Sequence, residues 1–192
     1  MQFTFDFGQG KLLAGLLVAA FLSACAAGGP HNTSPEGADG RLMLKGHDPV
    51  AYFTLAKHTL GRADIKADHE GVTYRFMNDE NKAMFLKEPA RYAPQFGGFC
   101  ANGIVYGIPW GGDADTWKLI DGKLYIFGGE GSKKYFLMDE KQNVALANRY
   151  WADEIKGSNG FIQRYKRLAM RVPHYKTGAE LDAEWQKRQA PK

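Results

Sequence analysis

Cysteine is scarce in this chain, and the two cysteines that occur, Cys25 and Cys100, lie in different contexts. Cys25 follows an apolar run near the N-terminus, whereas Cys100 lies among glycine and apolar residues in the middle of the chain. If Cys25 carries a lipid, Cys100 is the only thiol left in the mature protein and has no partner for an internal disulfide. Such a thiol is shielded in a core, bound to a ligand or reactive.

Catalytic signatures are also absent from the sequence. It contains no glycine-rich phosphate loop, no serine nucleophile elbow and no pair of carboxylates placed for acid–base chemistry. Internal repeats and low-complexity segments are missing as well. We therefore expect a protein that is not an enzyme.

The N-terminus has the pattern of a targeting segment. The apolar run at residues 12–22 is too short to span a bilayer, because a transmembrane helix needs about 20 apolar residues. The tetrapeptide Leu-Ser-Ala-Cys at residues 22–25 resembles the lipobox of bacterial lipoproteins. The resemblance implies removal of a signal peptide at residues 1–24, acylation of Cys25 and attachment to the membrane through the acyl chains. The alternative is an ordinary secretory signal with an incidental cysteine.

The residue after Cys25 indicates the location. Ala26 stands where inner-membrane retention signals have Asp, so the resemblance implies an outer-membrane lipoprotein that faces the periplasm. We expect no nucleic-acid partner for such a protein, and the sequence names no protein partner.

The mature chain divides into three predicted parts. Removal of the signal leaves 192 − 24 = 168 residues, enough for one domain. Residues 25–40 are rich in Gly, Pro, Ser and Asn and predict a flexible tether. A domain follows at residues 41–155, and a basic helical extension occupies residues 156–192. This extension has nine basic and three acidic residues and could touch anionic envelope material, although a solvated helical face is the simpler interpretation.

Local patterns predict an α+β fold with small antiparallel hairpins and helices packed on them. Hairpins are expected around Glu70-Gly71 and around Asp121-Gly122, where Asp-Gly suits a tight turn. Asn78 can cap a helix over residues 79–87, and Thr177 with Glu180 forms a capping box. Apolar spacing predicts further helices over residues 132–155 and 161–172.

The middle of the chain carries several ordered motifs. They are GHDPVAYF at residues 46–53, GVTYRF at 71–76, FLKEP at 85–89, YAPQFGGFCA at 92–101 and DGKLY at 121–125. Together they resemble the secreted branch of YHS domain proteins over residues 47–151, except that His47 stands where that branch usually has Tyr. The resemblance implies a link to metal handling. Metal-binding relatives have cysteines at the positions of Ala51, Met77 and Asn81, so their thiolate site is lost here.

Two other sites remain open in the sequence. Cys100 with His47 could hold a soft metal, copper or zinc, through one thiolate and one imidazole. An aromatic ligand pocket could form around the glycine-rich loops from Tyr52, Tyr92, Phe96, Trp110 and Trp117. The simpler alternatives are a buried Cys100 that acts as a small hydrophobe and aromatic residues that form the core.

These observations lead to one expected function and two alternatives. We expect a lipid-anchored, non-catalytic periplasmic binding protein of YHS type that holds a soft metal or a small cofactor near Cys100. The first alternative is a degenerate structural or protein-interaction module. The second is a thiol enzyme in which Cys100 is the nucleophile and His47 with Asp48 supplies the base.

Overall fold

The structure is a computed structural model that describes residues 30–190. The predicted signal peptide, the predicted lipidation site Cys25 and the first part of the predicted tether lie outside these residues. Within this range the strands are β1 (Thr33–Glu36), β2 (Asp39–Met43), β3 (Arg62–His69), β4 (Val72–Phe76), β5 (Asp113–Ile120) and β6 (Lys123–Phe127). The first four strands form one sheet in the order β1-β2-β4-β3, and β5 pairs with β6 in a separate hairpin.

Both predicted hairpins are confirmed, and both turns have left-handed backbone. Glu70 and Gly71 have φ angles of 50° and 73°, and Asp121 and Gly122 have φ angles of 49° and 70°. Two consecutive positive φ angles are the signature of a type I′ turn, which matches the twist of the strands it joins. β3 pairs with β4, and β5 with β6, in the antiparallel sense.

The helices in the described range are mostly short. They are α1 (Ala51–Thr54), α2 (Asp79–Lys87), α3 (Pro89–Tyr92), α4 (Ala101–Ile104), α5 (Glu130–Met138), α6 (Glu140–Tyr150), α7 (Gly160–Ala169) and α8 (Gly178–Gln189). The Asn78 side chain accepts a hydrogen bond from Asn81 N at 2.8 Å, and Thr177 with Glu180 forms the expected capping box. The α+β class is therefore confirmed, together with both helix starts.

Two helix predictions need correction. The helix expected over residues 132–155 is interrupted at Asp139, where φ is −136° and the chain leaves helical geometry. It continues as α6 and then as a π-helical turn over Trp151–Ile155. The helix expected over residues 161–172 ends at Ala169, because Met170 leaves helical geometry at ψ 79°.

The predicted flexible tether is wrong for its described part, because residues 33–40 form β1 and the start of β2. The guanidinium of the buried Arg75 on β4 lies 2.7 Å from the carboxylate of Asp39 and 2.5 Å from that of Glu36. Hydrogen bonds from Lys66 and Arg75 hold the pKa of the Asp39 carboxyl below its usual value. Composition favoured a tether, but these long-range ion pairs fix the segment to the sheet.

The β5–β6 hairpin lies between two hydrophobic cores. Alternate residues of β6 face opposite sides, so Leu124 and Ile126 belong to one core while Tyr125 and Phe127 belong to the other. The sheet core also contains the apolar faces of β2, β4 and α2. The helical core contains residues of α4, α5 and α6. This central placement explains why β6 is apolar at four consecutive positions.

The C-terminal extension packs on the helical core. Val172 and Leu181 are buried, and the His174 ring lies 3.0 Å from the carbonyl oxygen of Val105. An ion pair of 3.0 Å between Lys134 and Asp182 joins α5 to α8. Among residues 30–190, no helix is long and apolar enough to cross a bilayer.

Candidate functional site

A cavity of about 390 Å³ opens beside Cys100 on the helical side of the molecule. Ligand pockets in proteins commonly measure roughly 300 to 1,000 Å³, so its size suits a small organic molecule. Its lining comes from α4, α5, the start of α8 and the glycine-containing segments that precede β5 and α5. We call it the Cys100 cavity; it is lined by Cys100, Asn102, Gly103, Tyr106, Trp110, Gly111, Gly128, Ser132, Tyr135, Tyr175, Lys176, Gly178 and Leu181.

The backbone of Cys100 is fixed by three neighbours. Its N–H donates to the carbonyl oxygen of Trp110 at 2.9 Å, and its own carbonyl accepts from Gly103 N at 2.9 Å. It also forms an isolated parallel bridge with Ile126 of β6. The residue is only 3% exposed although it lines the cavity. The residue is therefore held in place by the central hairpin, and it is almost fully buried at the wall of the cavity.

Glycine at position 128 leaves room in front of the thiol. A Cβ atom there would lie 3.5 Å from Cys100 Sγ and 3.1 Å from the carbonyl oxygen of Gly111. Any longer side chain at this position would reach the thiol or the opposing backbone. The local sequence thus keeps open the space between Gly111 and Gly128.

Aromatic side chains form much of the cavity wall. Tyr106 and Tyr175 pack edge to face with ring centroids 5.3 Å apart, and the Arg164 guanidinium lies 5.1 Å from the Trp110 ring centre. Burial raises the pKa of Tyr106 to about 12, so this phenol stays neutral. Tyr135 donates its hydroxyl to Asp182 at 3.3 Å. These rings offer flat apolar surfaces and neutral hydrogen-bonding edges.

Several polar side chains in the lining have no hydrogen-bond partner among residues 30–190, and the half-buried Asn102 and Ser132 are two of them. Neither the amide of Asn102 nor the hydroxyl of Ser132 makes a hydrogen bond to any residue between 30 and 190. The ammonium of Lys176, in contrast, is paired with the carboxylate of Glu184. The hydrogen-bonding groups that remain available to a ligand are thus uncharged.

The predicted metal pair of Cys100 and His47 is not brought together. His47 lies outside the cavity lining, with Nδ1 2.9 Å from the Leu44 carbonyl oxygen and Nε2 3.5 Å from the Asp115 carboxylate. No group of three or more His, Cys, Asp or Glu side chains that could hold a metal occurs in residues 30–190. Structural zinc takes four ligands, and Cu⁺ sites combine several soft ones. The residues around Cys100 therefore do not fit copper or zinc.

Of the five residues predicted to form an aromatic pocket, Trp110 lines the Cys100 cavity and the other four lie outside its lining. Tyr52 is fully buried, with its hydroxyl donating to the Ala114 carbonyl oxygen at 2.9 Å and its ring 5.1 Å from that of Trp117. Tyr92 belongs to the sheet core and Phe96 to the helical core. These rings fill the small cores, which was the alternative interpretation.

Sequence reasoning missed most of the residues that line the cavity. Tyr135 comes from α5, and Tyr175 with Gly178 comes from the extension, more than seventy residues after Cys100. The glycines around Cys100 were the available signal, because they predicted a close approach at this loop. The packing of the extension against it could not be foreseen from local patterns.

A second polar site lies in the sheet core. The fully buried carboxylate of Asp48 accepts hydrogen bonds from Val50 N at 2.8 Å, Met77 N at 2.9 Å and Asn81 Nδ2 at 2.6 Å. The backbone carbonyl of Asp48 also accepts from Ala51 N at 3.3 Å. We call this arrangement the Asp48 node. It contains the three positions, 51, 77 and 81, at which metal-binding YHS domain proteins are expected to have cysteine.

The thiol-enzyme alternative requires a base next to Cys100. The cavity lining contains neither histidine nor a carboxylate. The carboxylate of Asp48 is occupied by its own hydrogen bonds. The groups that this alternative assigns as base are thus engaged elsewhere in the fold.

Comparisons with known proteins give no relative for this chain. No family model matches it, and no curated protein or solved structure matches it either. The resemblance to YHS domain proteins therefore stays a prediction that rests on the sequence motifs.

Proposed function

We propose that this chain is a lipid-anchored, periplasm-facing binding protein of YHS type, without catalysis, that holds a small organic ligand in the Cys100 cavity. The observation that carries the proposal is the cavity itself. It has the volume of a ligand pocket, aromatic walls and unpaired polar groups at Asn102 and Ser132.

The lining favours an uncharged, ring-bearing compound over a metal ion. Tyr106, Trp110, Tyr135 and Tyr175 provide faces and edges for a planar ring. The Asn102 amide can both donate and accept, and Ser132 can do the same. A strongly charged ligand would find one cation, Lys176, and that cation already has Glu184 as its partner.

The Asp48 node supports the YHS-type assignment. Ala51 lies 26 residues before Met77 and 30 before Asn81, yet all three positions at which metal-binding YHS proteins are expected to have cysteine hydrogen-bond to Asp48. If the chain has the fold of metal-binding YHS proteins, positions 51, 77 and 81 must lie close together in space. In this chain the same place is occupied by a carboxylate and its donors.

The lipid anchor is proposed from the lipobox at residues 22–25. Intact mass spectrometry of protein extracted from bacterial envelopes tests it directly. We expect a chain that begins at Cys25 and carries the added mass of its acyl groups. A chain of unmodified mass with a free Cys25 thiol would contradict the anchor, although it would leave the ligand proposal standing.

A matched pair of glycine variants tests the ligand site. Gly178 lines the cavity at an exposed position, and a Cβ atom there meets nothing within 4 Å, so Gly178→Leu adds apolar volume at the cavity entrance without a backbone clash at Cβ. Gly157 is equally open but lies outside the lining, which makes Gly157→Leu the control.

The measurement is a fragment screen by amide NMR with neutral heteroaromatic compounds. We expect at least one fragment to shift the amides of Cys100, Gly103 and Gly128, and Gly178→Leu to abolish these shifts while Gly157→Leu keeps them. Failure of every fragment to shift these amides, or equal shifts in the two variants, would refute the site.

A further inference from the structure

Helix α7 is amphipathic in the reverse of the usual sense, because its apolar side faces solvent. Phe161, Ile162 and Tyr165 are exposed by 64%, 66% and 59%, while Gln163 on the opposite side is only 4% exposed. Leu168 and Met170 extend the exposed apolar surface at the end of the helix. A surface helix of a soluble protein normally turns its apolar stripe toward the core. We call the exposed residues Phe161, Ile162, Tyr165, Leu168 and Met170 the α7 apolar face.

Polar contacts fix the orientation of the helix. Gln163 Nε2 donates to the Gly107 carbonyl oxygen at 3.2 Å and to Glu154 at 3.0 Å, and Arg167 Nε donates to Glu154 at 2.9 Å. Arg164 donates to the Pro109 carbonyl oxygen at 2.8 Å. A roll of the helix that buried its apolar face would break all of these bonds.

The charge of Glu154 belongs to this same inward contact. Burial alone would raise the pKa of the Glu154 carboxyl, but hydrogen bonds from Arg167 and Gln163 outweigh burial and lower it. The carboxylate therefore stays ionised and keeps Arg167 on the protein side. The hydrogen bonds that pair the polar side of α7 with the protein therefore also turn its apolar face toward solvent.

The N-terminus of the described chain meets the start of α7. A Cβ atom on Gly160, the first residue of the helix, would lie 3.7 Å from Cβ of Pro30. Cys25 precedes Pro30 by five residues, and an extended chain covers at most about 3.6 Å per residue. An acylated Cys25 would therefore hold Pro30, and with it the start of α7, within about 18 Å of the bilayer surface.

Exposed basic residues accompany the apolar face. Lys166 on α7 is exposed, although its ammonium lies 3.5 Å from the Glu154 carboxylate. Arg171 follows Met170 directly and is also exposed, with its guanidinium 4.6 Å from the Tyr175 ring centre. Lysine and arginine next to an apolar helix face are typical of helices that bind anionic lipid surfaces. Tyr165 adds an amphipathic ring of the kind that is enriched at the membrane interface.

From these observations we infer that α7 lies on an anionic bilayer, with its apolar face inserted among the acyl chains and Lys166 and Arg171 at the headgroups. The helix is then a second contact with the membrane beside the lipid anchor, and it orients the domain on the bilayer surface. The inference that the bilayer is close to α7 rests on the lipid anchor of the proposed function. The exposure of the α7 apolar face and the charges beside it are independent of that anchor.

The test uses the mature sequence without its acyl chains, that is, residues 25–192 with Cys25→Ser. Its binding to vesicles of phosphatidylglycerol and phosphatidylethanolamine is measured by flotation. We expect binding to these vesicles and weaker binding to phosphatidylcholine vesicles. The variant Phe161→Ser/Ile162→Ser should bind at least about tenfold more weakly, and Lys166→Gln/Arg171→Gln should weaken binding severalfold.

A matched control replaces exposed apolar residues outside α7. Leu60 and Leu86 are 66% and 53% exposed, so Leu60→Ser/Leu86→Ser removes a similar exposed surface and should leave vesicle binding unchanged. Thermal melting confirms that each variant is folded. Equal binding of the α7 variant and the control, or no vesicle binding by the parent, would overturn the inference.

Sedimentation of the same protein examines the other possible occupant of the face. If the parent forms a dimer that Phe161→Ser/Ile162→Ser dissociates, the α7 apolar face is an interface between copies and the membrane inference is wrong. A monomer that binds vesicles supports it. The Cys25→Ser protein carries no acyl chains, so these vesicle and sedimentation assays do not depend on the lipid anchor. Failure of the lipid anchor would appear only in the intact mass spectrum.

Discussion

The Asp48 node buries its polar groups and pairs them, whereas the Cys100 cavity holds half-buried polar groups that have no partner among residues 30–190. The carboxylate of Asp48 has three hydrogen-bond donors and no open space around it. The Cys100 cavity has space and keeps the polar groups of Asn102 and Ser132 without intramolecular partners. The positions at which metal-binding YHS proteins are expected to have cysteine are thus closed by hydrogen bonds to Asp48, whereas the space for a ligand lies on the other side of the central hairpin.

The largest expected effect is on the Asp48 node. Donors bond to both carboxylate oxygens of Asp48, so the NH₂ group of Asp48→Asn must face either the N–H of Val50 or the donors of Met77 and Asn81. We expect the free energy of unfolding in urea to fall by about 3 kcal/mol or more, because buried donors lose their acceptor.

The control for this change is the exposed carboxylate of Asp68, which accepts a hydrogen bond from Thr73 Oγ1 at 2.7 Å. Asp68→Asn should lower the free energy of unfolding by less than about 0.5 kcal/mol. Similar losses for Asp48→Asn and Asp68→Asn would show that the node is not a closed structural unit.

The ion pairs of the N-terminal hairpin form a second closed polar site and should show the next largest effect. Arg75→Gln removes the cation that joins Asp39 and Glu36 to β4. We expect the free energy of unfolding to fall by about 2 kcal/mol at neutral pH, since the buried Asp39 loses one of its two cations.

The same ion pairs predict a pH dependence. The pKa of Asp39 is lowered in the folded state from its ordinary value of 3.8. Its contribution to stability is therefore complete above the pKa of the unfolded state and is lost as the pH falls from there through the lower folded value. Urea unfolding from neutral pH down to this range should show a smaller acid loss in Arg75→Gln than in the parent, and parallel curves would contradict the assignment.

The smallest expected effect is at the open site. Cys100→Ala removes a side chain that faces the cavity and makes no hydrogen bond of its own among the described residues. The free energy of unfolding should change by less than about 1 kcal/mol. A loss as large as that of Asp48→Asn would mean that Cys100 is a core residue, and the contrast between the two sites would disappear.

Local chemistry made part of the fold predictable from the sequence. Asp121-Gly122 favours one turn type, and Asn78 and Thr177 supply side-chain caps. The turn and the two helix starts are found at the predicted residues. The segment at residues 33–40 could not be predicted in this way. Its order depends on Arg75, which is more than thirty residues away and gave no sign in the sequence that it would be buried.

The candidate site was less predictable than the fold. The glycines on either side of Cys100 indicated a close approach, but the aromatic residues Tyr52 and Tyr92 that seemed to line it belong to the sheet core. The wall that faces Cys100 comes from α5 and the extension, through Tyr135 and Tyr175. The sequence predicts that α7 is amphipathic, but it does not predict that the apolar side faces solvent. That orientation depends on hydrogen bonds to Glu154, which lies outside the helix.

Alkylation of Cys100 by iodoacetamide tests most directly whether the cavity is an open site. The rate is followed by mass spectrometry of the Cys100 peptide in native protein, in Gly178→Leu and in Gly157→Leu. The account predicts that Cys100 reacts without unfolding, that Gly178→Leu slows the reaction at least about tenfold, and that Gly157→Leu leaves it unchanged. Labelling that occurs only when the protein unfolds, at the same rate in all three proteins, would contradict it.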